Sequence, residues 1–132
     1  MRNPHISFIN EEKIKQEVQE ASQKADVVIV AFHFGNEYQA QPSKRQKEIA
    51  HLAIDSGADL IVGNHPHWIQ PIEKYKDKLV IYSHGNFIFD QYWSEKTREG
   101  IVGKISFYKN QIIKTEFFPI YIGRSGQPYF LE

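Results

Sequence analysis

Apolar residues change their spacing several times along the chain, and each change marks an element. In EEKIKQEVQEASQKA, which follows Asn10, the residues Ile14, Val18 and Ala21 fall on one helical stripe. Asn10 is placed as the N-cap, and the two acids of the first turn suit the positive end of a helix dipole. DVVIVAF follows at once. A continuous β-branched run between polar segments predicts an interior strand buried on both faces. After the loop HFGNEYQAQP, Ser43 opens a second helix with Gln46 at capping-box spacing. Ile49, Ala53 and Ile54 form its apolar side, and Gly57 stands where it should end. ADLIV predicts a short strand, and KLVIYSHGNFIF begins as a third buried strand before running into Gly-Asn. Beyond Gly100 the segment GIVGKISFYKNQIIKTEFFPIYI alternates, with a Lys-Asn-Gln turn at 109 to 111, and predicts a β-hairpin packed on the same domain.

Helix, strand, helix, strand is the repeating unit of a parallel α/β sheet with right-handed crossovers. The expected organisation is one domain over 1–132, with a motif-bearing α/β part at 10–90 and a C-terminal β part at 100–132. No internal repeat, low-complexity segment or linker interrupts it.

Composition narrows the picture. A chain of 132 residues has room for one core and not comfortably for two. Sixteen basic residues balance sixteen acidic ones, so no nucleic-acid partner is suggested. The hydrophobic share of 41% fits a globular protein. No apolar run approaches the roughly 20 residues of a transmembrane helix. Cysteine is absent, so any metal must be held by nitrogen and oxygen. The opening MRNPHISFINEE lacks the apolar core of a secretion signal. The expectation is either a protein that stays inside or one whose addressing segment is absent.

The candidate chemistry lies where strands stop. His33 and Glu37 follow VVIVAF, His65 and His67 follow LIVG, and His84 and Asn86 follow LVIYS. In parallel α/β sheets the carboxyl ends of strands line the ligand crevice, so these loops should converge. Imidazoles with a carboxylate suit a divalent ion such as Mn, Zn or Fe, which can lower the pKa of a bound water and polarise a phosphoryl oxygen. Metal-assisted hydrolysis is the matching reaction class. Gly35, Gly63 and Gly85 sit beside these residues and permit tight turns or close backbone approach. Each residue also has an ordinary role. A lone histidine after a strand is more often a hydrogen-bonded turn residue than a ligand, whereas two imidazoles around the rigid Pro66 make the two roles comparable. His51 and His5 are expected on the surface. Glu37, Tyr38, Trp68, Asn86, Tyr92 and Trp93 are equally compatible with turn, core or site roles.

AFHFGNEY, GADLIVGNHPHWIQPIE and KLVIYSHGNFIFD, in that order and spacing, resemble the CapA family of capsule (poly-γ-glutamate) biosynthesis. The likeness covers about Asp26 to Asp90. That family belongs with the calcineurin-like metallophosphoesterases, so the resemblance implies an α/β sandwich, of which this chain would be the C-terminal half. It implies that His33 opens a His-x-Gly-x-Glu motif ending at Glu37, and that His65 and His67 are a late Gly-x-His-x-His pair. His33, Glu37 and His65 are then the candidate catalytic residues, and His33, His65 and His67 the candidate metal ligands. Gly35, Gly63, Asn64 and Asn86 would line the pocket; His84, where family members usually carry an apolar residue, is a pocket candidate only from its place at the end of a strand. The early Asp and Asn-His motifs of that superfamily do not occur upstream of His33, so one metal at most is expected. A half-sandwich would expose sheet edge and apolar surface, which implies a homo-oligomer or a separate N-terminal half as partner. The implied role is capsule synthesis or anchoring at the cell envelope, on an anionic or phosphorylated substrate. Alternatives are a metal-dependent phosphoesterase completed by another chain or segment, and a non-catalytic scaffold.

Overall fold

A computed structural model describes residues 8–131; His5 lies outside them. Helix α1 (Glu11–Ser22) starts as expected, with the Asn10 side chain accepting from the Lys13 backbone N–H at 2.9 Å. This satisfies one of the free amides of the first turn. Val18 is buried, and Ile14 and Ala21 pack against the same cluster. Helix α2 (Lys44–Asp55) carries the full capping box between Ser43 and Gln46. It closes in a Schellman pattern: Ala58 N–H donates to Ala53 O, Gly57 N–H donates to Ile54 O, and Gly57 takes φ +115°.

Strands β1 (Ile29–His33), β2 (Leu60–Asn64), β3 (Ile72–Tyr75) and β4 (Lys78–Ile81) form one sheet in the order β1-β2-β4-β3. β1, β2 and β4 are parallel, and β3 pairs antiparallel with β4. Ile61, Val80 and Tyr82 face α2, whose Ile49, Ala50, Ala53 and Ile54 complete a core with Val28, Phe32 and Phe34. Burial of each large apolar side chain there stabilises by about 1.5–3 kcal/mol. Leu60 and Ile81, adjacent in their strands to Ile61 and Val80, are buried on the opposite face.

Two expectations change. DVVIVAF is not an interior strand: β1 starts at Ile29, stands at a sheet edge, and buries only Phe32. Val30 and Phe32 point to the core cluster, while Ile29, Ala31 and His33 on the other face are exposed. An apolar run implies double burial only when something covers both faces. In addition, no helix leads to the third parallel strand. The chain doubles back as β3 and returns through Lys76 and Asp77, both at positive φ (46° and 64°), as a type I′ hairpin requires.

The C-terminal part is a second, antiparallel sheet of β5 (Glu99–Tyr108), β6 (Gln111–Ile122) and β7 (Pro128–Phe130). The expected hairpin is present, with Tyr108 opposite Gln111 across Lys109 and Asn110; β7 extends it. A short helix, α3 (Glu95–Arg98), leads into β5. The two parts join where Gly85 bridges Gly100 and Ile101 N–H donates to His84 O at 2.9 Å. The architecture is thus mixed α/β with two sheets.

Candidate metal centre

Parallel pairing sets the site. His33 and Asn64 are register partners at the carboxyl ends of β1 and β2, so the loops that follow leave the sheet side by side. The pairing continues beyond the strands. Phe34 N–H donates to Asn64 O at 3.0 Å, and Tyr38 N–H donates to Pro66 O at 2.8 Å. The second bond ties the loop carrying Glu37 to His65-Pro66-His67. Gly63 is needed at the end of β2 because a Cβ there would lie 2.1 Å from the Tyr82 carbonyl oxygen. Tyr38, His65 and His67 all take positive φ (59°, 103° and 60°). Such backbone costs about 1–3 kcal/mol per residue and persists only where the surroundings enforce it.

The side chains converge. One ligand-type atom from each of Glu37, His65 and His67 lies within 4.8 Å of the others. His67 Nε2 is 3.9 Å from Glu37 Oε1, and His67 Nδ1 is 2.8 Å from Asn86 Oδ1. Burial, reinforced by the neighbouring His33, holds the His65 imidazole below the ordinary histidine value, in the neutral state that ligates metals. Tyr38 stacks on the His67 ring at 6.0 Å, and the Phe89 ring lies tilted at 5.1 Å from it. Two imidazoles and a carboxylate are a donor set that fits Mn, Zn or Fe in the divalent state.

The residues expected from the sequence divide into two groups. Glu37, His65 and His67 form the cluster. His33 borders it, its ring 4.7 Å from that of His65, but is not among the three whose ligand atoms lie together. Gly35 sits in the left-handed region (φ +97°) beside the Gln46 side chain, and Asn64 ends β2 with its side chain exposed. His84 places Nδ1 3.3 Å from the Gly63 carbonyl, behind β2, and burial lowers its pKa. Asn86 is buried against His67. His51 is not a simple surface residue: its Nε2 lies 3.1 Å from Glu73 Oε1, and its ring stacks on Tyr75 at 3.8 Å. Gln70, Gln91 and Thr97 also shape the site, and nothing in their sequence context marked them. A separate cavity of about 560 Å³ is lined by Lys74, Asp77, Lys78 and Asn110 among others. It opens at the amino end of β4, away from the strand ends where the histidines gather.

Comparison with known proteins identifies the family. The family model described as bacterial capsule synthesis protein PGA_cap matches residues 1–91. The chain is 43% identical over 103 residues to the PGA biosynthesis protein CapA of Bacillus subtilis, covering 78% of this chain and 27% of that protein. It is 46% identical over 78 residues to the capsule biosynthesis protein CapA of Bacillus anthracis, covering 59% of this chain and 19% of that protein. A probable polyglutamine synthesis accessory protein of Mycobacterium tuberculosis is 33% identical over 82 residues, covering 62% of this chain and 20% of that protein. The chain therefore spans 27% or less of the length of these relatives. Among the described residues, no helix is long and apolar enough to cross a membrane.

Proposed function

The chain belongs to the bacterial capsule synthesis protein family PGA_cap, and from that premise we propose that it forms the part of a poly-γ-glutamate synthesis accessory protein that holds one divalent cation between Glu37, His65 and His67. The observation carrying this reading is the convergence of those three ligand atoms within 4.8 Å at the ends of two parallel strands. Bound there, Mn, Zn or Fe would supply Lewis acidity toward an anionic oxygen.

The chain's own residues define what the site accepts. Glu37 brings the cluster's single carboxylate, so the three donors suit one cation; a two-metal site needs bridging carboxylates. His65 and His67 both take positive φ, and the rigid Pro66 lies between them. His33 is exposed beside His65 and is placed to donate a hydrogen bond to an anionic group, a glutamyl carboxylate or a phosphoryl oxygen. Work at the cell envelope follows from what the named relatives make.

Metal analysis after dialysis against Mn or Zn tests the reading. One equivalent is expected in the native protein and none in the Glu37→Ala, His65→Ala, His67→Ala triple variant. Equal stoichiometry in the two would reject it.

A further inference from the structure

We propose that Asn86 is a positioning residue that fixes His67 in the Nδ1–H tautomer, so that its Nε2 lone pair points toward Glu37; this deepens the metal reading and rests on it for its functional meaning. The Thr97 backbone carbonyl lies 2.9 Å from Asn86 Nδ2, and a carbonyl oxygen offers no proton. The Asn86 atom facing Thr97 must therefore be the amide nitrogen, because the flipped side chain would set two oxygens against each other. That nitrogen also donates to Gln91 Oε1 at 3.2 Å. Both amide protons are then used, and the Asn86 oxygen is left facing His67 Nδ1 at 2.8 Å. An amide oxygen only accepts, so Nδ1 must carry the proton. The neutral ring then has its lone pair on Nε2, the nitrogen 3.9 Å from the Glu37 carboxylate.

The surroundings make this a fixed arrangement. Asn86, Gln91 and Thr97 are all buried, so water cannot readily replace either partner of the amide. Thr97 is itself locked: its hydroxyl donates to Gln91 O at 2.7 Å, and its backbone N–H is capped by Ser94 Oγ at 3.2 Å. Gln91 in turn reaches the Tyr38 hydroxyl at 3.4 Å, on the ring that stacks against His67. The segment from Asn86 to Thr97 thus braces His67 from behind while leaving Nε2 free, the arrangement in which an outer partner orients a ligating imidazole.

Nitrogen-15 NMR of the His67 ring in metal-free protein, at a pH where the ring is neutral, reads the tautomer directly. The native protein and Gln91→Leu are expected to show protonated Nδ1, because the Thr97 carbonyl still orients Asn86 in that variant. Asn86→Ala is expected to lose this preference and to weaken Mn binding about ten- to a hundred-fold. Circular dichroism establishes that each variant is folded. Protonated Nε2 in the native protein, or an unchanged tautomer in folded Asn86→Ala, would overturn the proposal. If the native protein bound no cation but showed the expected tautomers, the metal reading would fail and the role of Asn86 in orienting His67 would stand.

Discussion

Gln46 Nε2 donates to Gln70 Oε1 at 2.9 Å, with both side chains only 2% exposed. Through this bond the capping box of α2 reaches the site. Gln46 Oε1 accepts from Ser43 N–H, while Gln70 Nε2 donates to the carbonyls of Gln39 and Gln41, in the loop that carries Glu37. Gln70→Leu would strand the Gln46 amide in the interior and release that loop. The expected loss is about 1–3 kcal/mol in urea denaturation. Hydrogen exchange at the Tyr38 amide, which bonds to Pro66 O, should also quicken. Unchanged protection at Tyr38 would show that the loop is held by other contacts.

Gly63→Ala tests how closely β2 and β4 must approach. The added methyl would meet the Tyr82 carbonyl oxygen at 2.1 Å and the Phe34 ring at 2.8 Å. A backbone carbonyl cannot swing aside as a side-chain tip can. The expected cost is about 2–3 kcal/mol, with a lower thermal midpoint. A variant as stable as the native protein would mean that the strands part there without penalty.

These two positions show what could be read in the sequence. The capping box, the Gly57 stop and the polar residues at strand ends are local signals, written in neighbouring residues, and the structure contains them. The edge position of β1 is not local: DVVIVAF has the composition of an interior strand, and its surroundings alone decide whether Ile29 is covered. The turn at Lys76 and Asp77 lacked the usual Asn-Gly signature, which hid β3. Gln70, Gln91 and Thr97 act through partners far along the chain or through backbone carbonyls, and spacing cannot disclose such contacts. Glu37, by contrast, stood in a recognisable motif, yet only geometry put its carboxylate among the ligand atoms.

Glu73 gives the fold a built-in acid sensitivity. Burial opposes its charge, but hydrogen bonds from Tyr82 and His51, with the charges of His51 and Lys47, outweigh burial and leave its pKa below the ordinary value. A folded pKa below the unfolded one contributes stability that is fully present above about pH 4.3. This contribution is lost as pH falls through the folded value. Glu73→Gln should therefore cost about 1 kcal/mol at neutral pH, a modest figure because the side chain is 34% exposed. It should also flatten the acid limb of a stability-against-pH curve. Urea midpoints that fall equally steeply with acid in both proteins would contradict this.

The relative weight of His33 and Glu37 separates a motif-based ligand set from a geometric one. The sequence points to His33, His65 and His67, whereas the atoms that lie together belong to Glu37, His65 and His67. His33 touches this group only through the His65 ring, at 4.7 Å between centroids. Removing Glu37 takes away the cluster's only anionic donor, and removing His67 takes away an imidazole that Asn86 holds in place. Calorimetric titration with Mn should thus show binding abolished by Glu37→Ala and by His67→Ala. His33→Ala should weaken it about tenfold or less, the scale expected of a neighbour that shapes a ligand. If His33→Ala abolished binding while Glu37→Ala left it intact, the cation would sit on the β1 side of His65 and the ligand set would have to be redrawn around His33.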